Sequence, residues 1–265
     1  MEYHLITMEN EVLYGIKSMI ERGMRMKAVF DKLGLYDLLG FIIPGFLGIL
    51  SIQVLYIDIF KLPFPIKVDD GFINSVVFIA TSYYFGVIMH EISEFVQEKL
   101  IKRIWGGLPS EKYLLKSDKT CSEKEKESYY DLAQEVFQIK KGDYDKEKSH
   151  LVFNKFLATL QSAEKDERAQ LFNTYYGMYR NFFTGSLMCF IAYFAYFISC
   201  LFNKFILKEV ITDDFSFIVT GIVFLIFSLI LLRKTRRCGE TYVKYVFRGF
   251  AEYHRSTQIN RNIKN

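Results

Sequence analysis

FSFIVTGIVFLIFSLILLRKTRR, Phe215 to Arg237, decides the fold. No ionisable side chain interrupts Phe215 to Leu232, and the basic cluster Arg233–Arg237 follows at once. A hydrocarbon core of about 30 Å takes roughly 20 helical residues, so this run reads as a membrane-spanning helix. Lysine and arginine crowded at one end mark that end as cytoplasmic. Three further runs are long enough to span: about Leu38 to Phe60, Phe72 to Ile92, and Phe182 to Phe202, the first two less purely apolar, with Asp58 near the end of one and Asn74, Ser75, Thr81 and Ser82 within the other. They explain how a chain that is 51% hydrophobic, with 26 Phe and 18 Tyr, also carries 24% charged residues. The fold class expected is an all-α integral membrane protein with four transmembrane helices.

Orientation follows from the cations beside the spans. Lys99, Lys102 and Arg103 follow the second span, whereas the short connections Lys61–Gly71 and Asn203–Asp214 carry only Lys61, Lys67, Lys204 and Lys208. Both termini and the long central segment are therefore expected in the cytoplasm. The first 37 residues hold five Lys/Arg and six Asp/Glu without an apolar core, so no cleavable signal peptide is expected. Cys121, Cys189, Cys200 and Cys238 form no CxxC pair, and they read as packing residues rather than a disulfide framework or metal site.

The chain divides into an N-terminal amphipathic cytoplasmic segment (1–37), the first two spans (38–92), a small helical cytoplasmic domain (93–181), the last two spans (182–232) and a basic aromatic cytoplasmic tail (233–265). Val12, Ile16, Met19, Ile20 and Met24 recur at helical spacing in the first segment. That helix suits either the headgroup layer or the protein's own cytoplasmic domain. The second span is expected to continue as EISEFVQEKLIKRIW and stop at Gly106-Gly107 and Pro109. Ser122 with Glu125 reads as a capping box opening the next helix. A turn at KKGDYD precedes a helix with Val152, Phe156 and Leu160 on one face. The last piece, from EKDERAQ onward, enters the third span without a breaker.

Four constellations carry candidate chemistry. Pro44, within YDLLGFIIPGFLGIL, removes a backbone donor and crowds the carbonyl of Gly40, which bends a helix. With Gly40 and Gly48 on the same side, it reads as close helix packing or as a gating hinge. Asn74, Thr81 and Ser82 are the polar residues of the second span and make it, with the first, a candidate pore wall. His90 and Glu91 close that span in HEISE. The sequence lacks the second histidine of HExxH, so no metal is expected. Ionisable groups at this depth need partners, and His90 and Glu91 are expected to pair with Arg180.

The fourth constellation is the tail. From Arg233 to Asn265 it carries nine Lys/Arg against two Glu, while the whole chain is only +4. Lys244, Tyr245, Arg248 and Arg255 interleave cations with aromatic rings, which suits a nucleotide or nucleic acid. The same pattern suits the anionic inner leaflet, span topology or oligomer packing. Arg248 and His254 also match the loose Arg-x(4–6)-His pattern of HEPN-type ribonucleases, an alternative in which a membrane-anchored enzyme cleaves RNA. No P-loop, dinucleotide fingerprint, GxSxG or paired catalytic carboxylates appears, so the chain is read as a non-enzyme without a cofactor. The last two spans lack ionisable residues, which argues against a transporter. A channel with an apolar constriction or a non-conducting scaffold remains.

YDLLGFIIPGFL at the first span, YYFGVIMHEIS closing the second and FNTYYGMYRNFFTGSL leading into the third resemble the small four-span effectors of bacterial anti-phage defence. Within that class the chain is similar to the effector of the Hailong system. The resemblance implies a homo-oligomeric ion channel of the bacterial inner membrane, with a tetramer as the working subunit number. It further implies closure by a single-stranded DNA oligomer made by a partner nucleotidyltransferase. Loss of that ligand would open the channel and depolarise the host membrane.

Overall fold

The four predominantly apolar runs form helices. The computed structural model describes residues 38–59, 72–142, 144–202 and 214–264. The N-terminal amphipathic segment and both short inter-span connections lie outside these. No strand occurs among the described residues, and four helices are long and apolar enough to cross a membrane.

The first is α1, Ile43–Gln53, extended by π-helical turns at Leu38–Ile42 and Val54–Ile59. Next comes α2, Phe72–Val96, which continues through a π-helical turn, Gln97–Ile101, into α3, Lys102–Trp105. Gly106 and Gly107 end that run with φ of 71° and 137°, values that favour glycine. The short α4, Pro109–Lys112, leads to α5, Glu123–Phe137, and α6, Lys146–Ser162. Ser122 and Glu125 form the expected capping box, and the Asp145 carboxylate accepts from the Lys148 amide at 2.8 Å to open α6. α7, Glu167–Phe202, and α8, Asp214–Lys264, each run without a break from an apolar span into a charged bundle.

α7 and α8 are antiparallel. Tyr196 faces Phe217 at one end, and the Lys234 ammonium lies 5.7 Å from the Tyr179 ring further along. The helix of residues 38–59 lies between α2 and α7. Its closest approach to α2 is made by Gly45 and Gly86: a Cβ on Gly45 would fall 1.8 Å from the Ser82 carbonyl oxygen, and one on Gly86 would fall 2.1 Å from that of Phe41. Only residues without side chains permit such contact between backbones. On the α7 side, the Ser51 hydroxyl donates to the Leu47 carbonyl at 2.8 Å and lies 3.3 Å from the Cys189 sulfur.

The charged bundle has its own core, built where α5, α6 and the far half of α8 meet. Val152, Phe156 and Leu160 occupy the α6 face expected from their spacing, and they meet Val246, Phe247 and Phe250 of α8. Phe156 stacks on Phe250 with centroids 3.9 Å apart. Phe247 sits between the rings of Tyr113 and Tyr129, whose burial raises their phenol pKa, that of Tyr129 to about 12.

Lys126 is wholly buried at the edge of this core. Its ammonium donates to the carbonyls of Leu115 and Asp118 at 2.9 and 2.6 Å and to the Glu123 carboxylate at 2.8 Å. All three donors are used, which is the condition for burying such a charge. The lysine therefore ties the connector of residues 113–122 to α5. Lys126→Met keeps the stem and removes the ammonium from both carbonyls; Leu115 retains the Asp118 amide at 3.0 Å, so the loss centres on the Asp118 carbonyl and is about 2 kcal/mol. Chemical denaturation of the purified protein is expected to show it as a lower midpoint with an unchanged slope.

Candidate functional site

Pro44 is the second residue of α1 and has no amide hydrogen. The carbonyl it leaves without a donor, four residues back, belongs to Gly40 in the π-helical turn. The chain stays right-handed helical through Ile42, at φ −63° and ψ −46°, so winding changes from π to α where the sequence places the bend. Gly40 does not go unpaired. The Asn181 side-chain amide of α7 donates to its carbonyl oxygen at 2.9 Å, and Asn181 is fully buried. A proline in one span is thus answered by an amide in another, 141 residues away in sequence.

Asn181 belongs to a larger polar cluster. Its carbonyl oxygen lies 2.5 Å from the Ser93 hydroxyl, and its second amide hydrogen points to His90 Nδ1 at 3.3 Å. Arg180 beside it is 6% exposed. The guanidinium donates from Nε to Ser93 at 3.1 Å, from Nη1 to Gln97 at 3.0 Å and from Nη2 to the Glu94 carboxylate at 3.2 Å. His90 is within 3.4 Å of the same Nη2. His90, Ser93, Glu94 and Gln97 share one face of α2 and its extension, spaced three, four and seven apart. His90 and Arg180 meet as expected. The carboxylate that joins them is Glu94 rather than Glu91, because Glu91 projects to the exposed side of the helix.

The face drawn through Gly40, Pro44 and Gly48 is divided between two neighbours. Gly48 abuts the Met89 side chain, while the Pro44 carbonyl lies beside Gly185 of α7. The residue that makes the tightest backbone contact is Gly45. Among the polar residues of the second span, the Asn74 side chain lies outside the described residues. Thr81 donates to its own helix at Val77. Ser82 is fully buried against the first span and offers no surface to a pore between subunits.

The tail residues divide as well. Two of the rings that interleave with these cations are core: Phe247 and Phe250 are at most 1% exposed. The sequence held a signal for this, since Val243, Val246, Phe247 and Phe250 follow the spacing of a buried helix face. Tyr245 lays one ring face on Phe172, with centroids 4.9 Å apart and planes at 15°. Arg248 donates to the Glu125 carboxylate at 2.9 Å, and that bond, first among several, lowers the Glu125 pKa. His254 faces Glu135 at 3.8 Å, Lys244 is half-buried and Arg255 is exposed. Arg248 and His254 are therefore held by different carboxylates of α5, about 9 Å apart along α8 at 1.5 Å per residue.

Tyr245 and Arg248 line one groove, of about 570 Å³, with Arg168, Lys165 and Gly249. Glu164, Glu167 and Glu252 line it too, so its formal charges balance. It is open, polar and placed between the first turn of α7 and the far half of α8. No known protein family, no curated protein and no solved structure matches the chain.

Proposed function

We propose that the chain is the channel-forming effector of a bacterial anti-phage system, held in the inner membrane with both termini in the cytoplasm. Copies of the chain assemble into a homo-oligomer, and a nucleotide or single-stranded DNA oligomer, supplied by a partner nucleotidyltransferase, controls conduction. Opening depolarises the host membrane. The observation that carries this reading is the continuity of α7 and α8. Each joins the charged bundle to an apolar span without a flexible link, so a ligand in the bundle acts on the spans mechanically.

The groove between these two helices is the assigned ligand site. Arg168, Lys165 and Arg248 meet phosphate oxygens, and Tyr245 supplies a ring for a base. The three glutamates hold affinity for unselected polyanions down. Arg248 must leave Glu125 to meet a phosphate, so the ligand competes with an internal carboxylate. Glu125→Gln removes the competing charge and is expected to tighten binding about tenfold, a change of 1.4 kcal/mol. Arg248→Glu and Arg168→Glu are expected to weaken it by at least as much. Fluorescence anisotropy with labelled short single-stranded DNA and with cyclic nucleotides, at several salt concentrations, checks this. Equal binding by all four proteins would remove the groove from the ligand site. The ribonuclease reading requires Arg248 and His254 on one phosphate, and their separate carboxylate partners favour the channel instead.

A further inference from the structure

The sequence ends the second span near Ile92, yet the helix continues through α3, and the outward face of that continuation is apolar. Phe95 is 63% exposed, Leu100 41% and Ile104 58%. Tyr84 and Ile88 precede them on the exposed surface of α2. In unbroken α-helix the face of Phe95 would pass through Glu98 or Lys99 and then Lys102, all charged. The π-helical turn prevents this. The Lys102 amide bonds the Gln97 carbonyl, five residues back, and the longer turn places Leu100 and then Ile104 below Phe95. The opposite side of the same segment, Ile101 and Trp105, clusters with Phe183, Leu231 and Leu232. Residues 95–104 therefore stand beside the point where the apolar run of α8 gives way to its basic cluster.

We propose that the bilayer covers this face, so that Phe95, Leu100 and Ile104 lie in the interfacial layer of the cytoplasmic leaflet. The inference rests on α2 being a membrane span. Its occupant is lipid because Ile101 and Trp105 hold this segment level with the end of the apolar run of α8 at Leu231 and Leu232, and the stripe resumes the exposed apolar surface of α2 past the carboxylate of Glu91. Charge does not recruit it: Lys102 is held by Glu111 at 2.5 Å, and the exposed Glu91 and Glu98 offset Lys99 and Arg103. The contact is made by apolar area and does not depend on anionic headgroups. The π-helical turn sets the register that keeps this area facing outward.

Nitroxides at Phe95→Cys, Leu100→Cys and Ile104→Cys, in protein reconstituted into phosphatidylcholine vesicles, test the proposal. The four native cysteines are buried, and the unsubstituted protein measures their background labelling. Each of the three sites is expected to collide several-fold more often with oxygen than with a water-soluble nickel chelate, with little change when phosphatidylglycerol is added. Preferential nickel collision would place the stripe in water and overturn the proposal. Low collision with both would mean that protein, such as a second copy, covers the stripe, and would overturn it too. Strong dependence on phosphatidylglycerol would overturn the apolar account of the contact. A label at Ile88→Cys separates the two levels: oxygen-rich collision there with aqueous values at 95–104 defeats only this inference, whereas an aqueous Ile88 defeats the span itself.

Discussion

Asn181→Leu is expected to destabilise the packed spans by about 2 kcal/mol, because it strands the Gly40 carbonyl in a buried site, while the Ser93 hydroxyl keeps the His90 carbonyl and the Arg180 guanidinium as partners. Leucine repeats the branching and heavy-atom count of asparagine, so the hydrogen-bonding loss dominates, with a smaller packing cost from its bulkier methyl groups. The cause is local to Pro44. Restoring an amide hydrogen there gives Gly40 a donor within its own helix. Pro44→Ala alone is thus expected to change stability by no more than about 0.5 kcal/mol, since Asn181 already serves the carbonyl. In the double variant about 1 kcal/mol of the Asn181→Leu loss is expected to return. Unfolding in detergent micelles gives the four corners of the cycle. Additive effects would mean that proline and asparagine do not share the carbonyl.

Gly45→Val is expected to be at least as severe, about 3 kcal/mol or more, for a different reason. The first side-chain carbon would sit 1.8 Å from a carbonyl oxygen of α2, and backbone cannot swing aside as a side chain can. The helices must separate, which exposes Ser82 and loosens the reciprocal contact of Gly86 with Phe41. Gly48→Ala provides the comparison. Its added carbon meets only the flexible Met89 side chain, at 3.2 Å and beyond, and is expected to cost about 1 kcal/mol or less. Both are read from unfolding midpoints in the same micelles. Equal losses would show that the Gly45 crossing is less rigid than its geometry implies.

Hydrophobicity and its period made most of the fold legible. The four apolar runs, the break at Gly106-Gly107, the Ser122 box and the unbroken entry into α7 all depend on local sequence, and each formed where the pattern placed it. Packing between helices was less accessible. Gly40, Pro44 and Gly48 are visible as small residues, but which neighbour each meets depends on the rotation of a helix wedged between two others. The exchange of Glu91 for Glu94 has the same origin: both lie within a turn of His90, and only the position of α7 decides between them. Asn181 carried no local signal at all, because its partner is a carbonyl released by a proline far along the chain. The tail was misleading for a physical reason. Basic residues on its outer face and aromatic residues on its inner face interleave in sequence as a ligand surface would, and the buried spacing at 243, 246, 247 and 250 had to be separated from them.

Gated conduction is read from ion flux out of liposomes containing the purified chain. Flux is measured without ligand, with short single-stranded DNA and with cyclic nucleotides, for the parent and for Pro44→Ala. At least one of these ligands is expected to change the conductance several-fold, with a shifted ligand response in Pro44→Ala, whose span no longer needs Asn181. Folded, inserted protein that passes no ions in any ligand condition would contradict gated conduction.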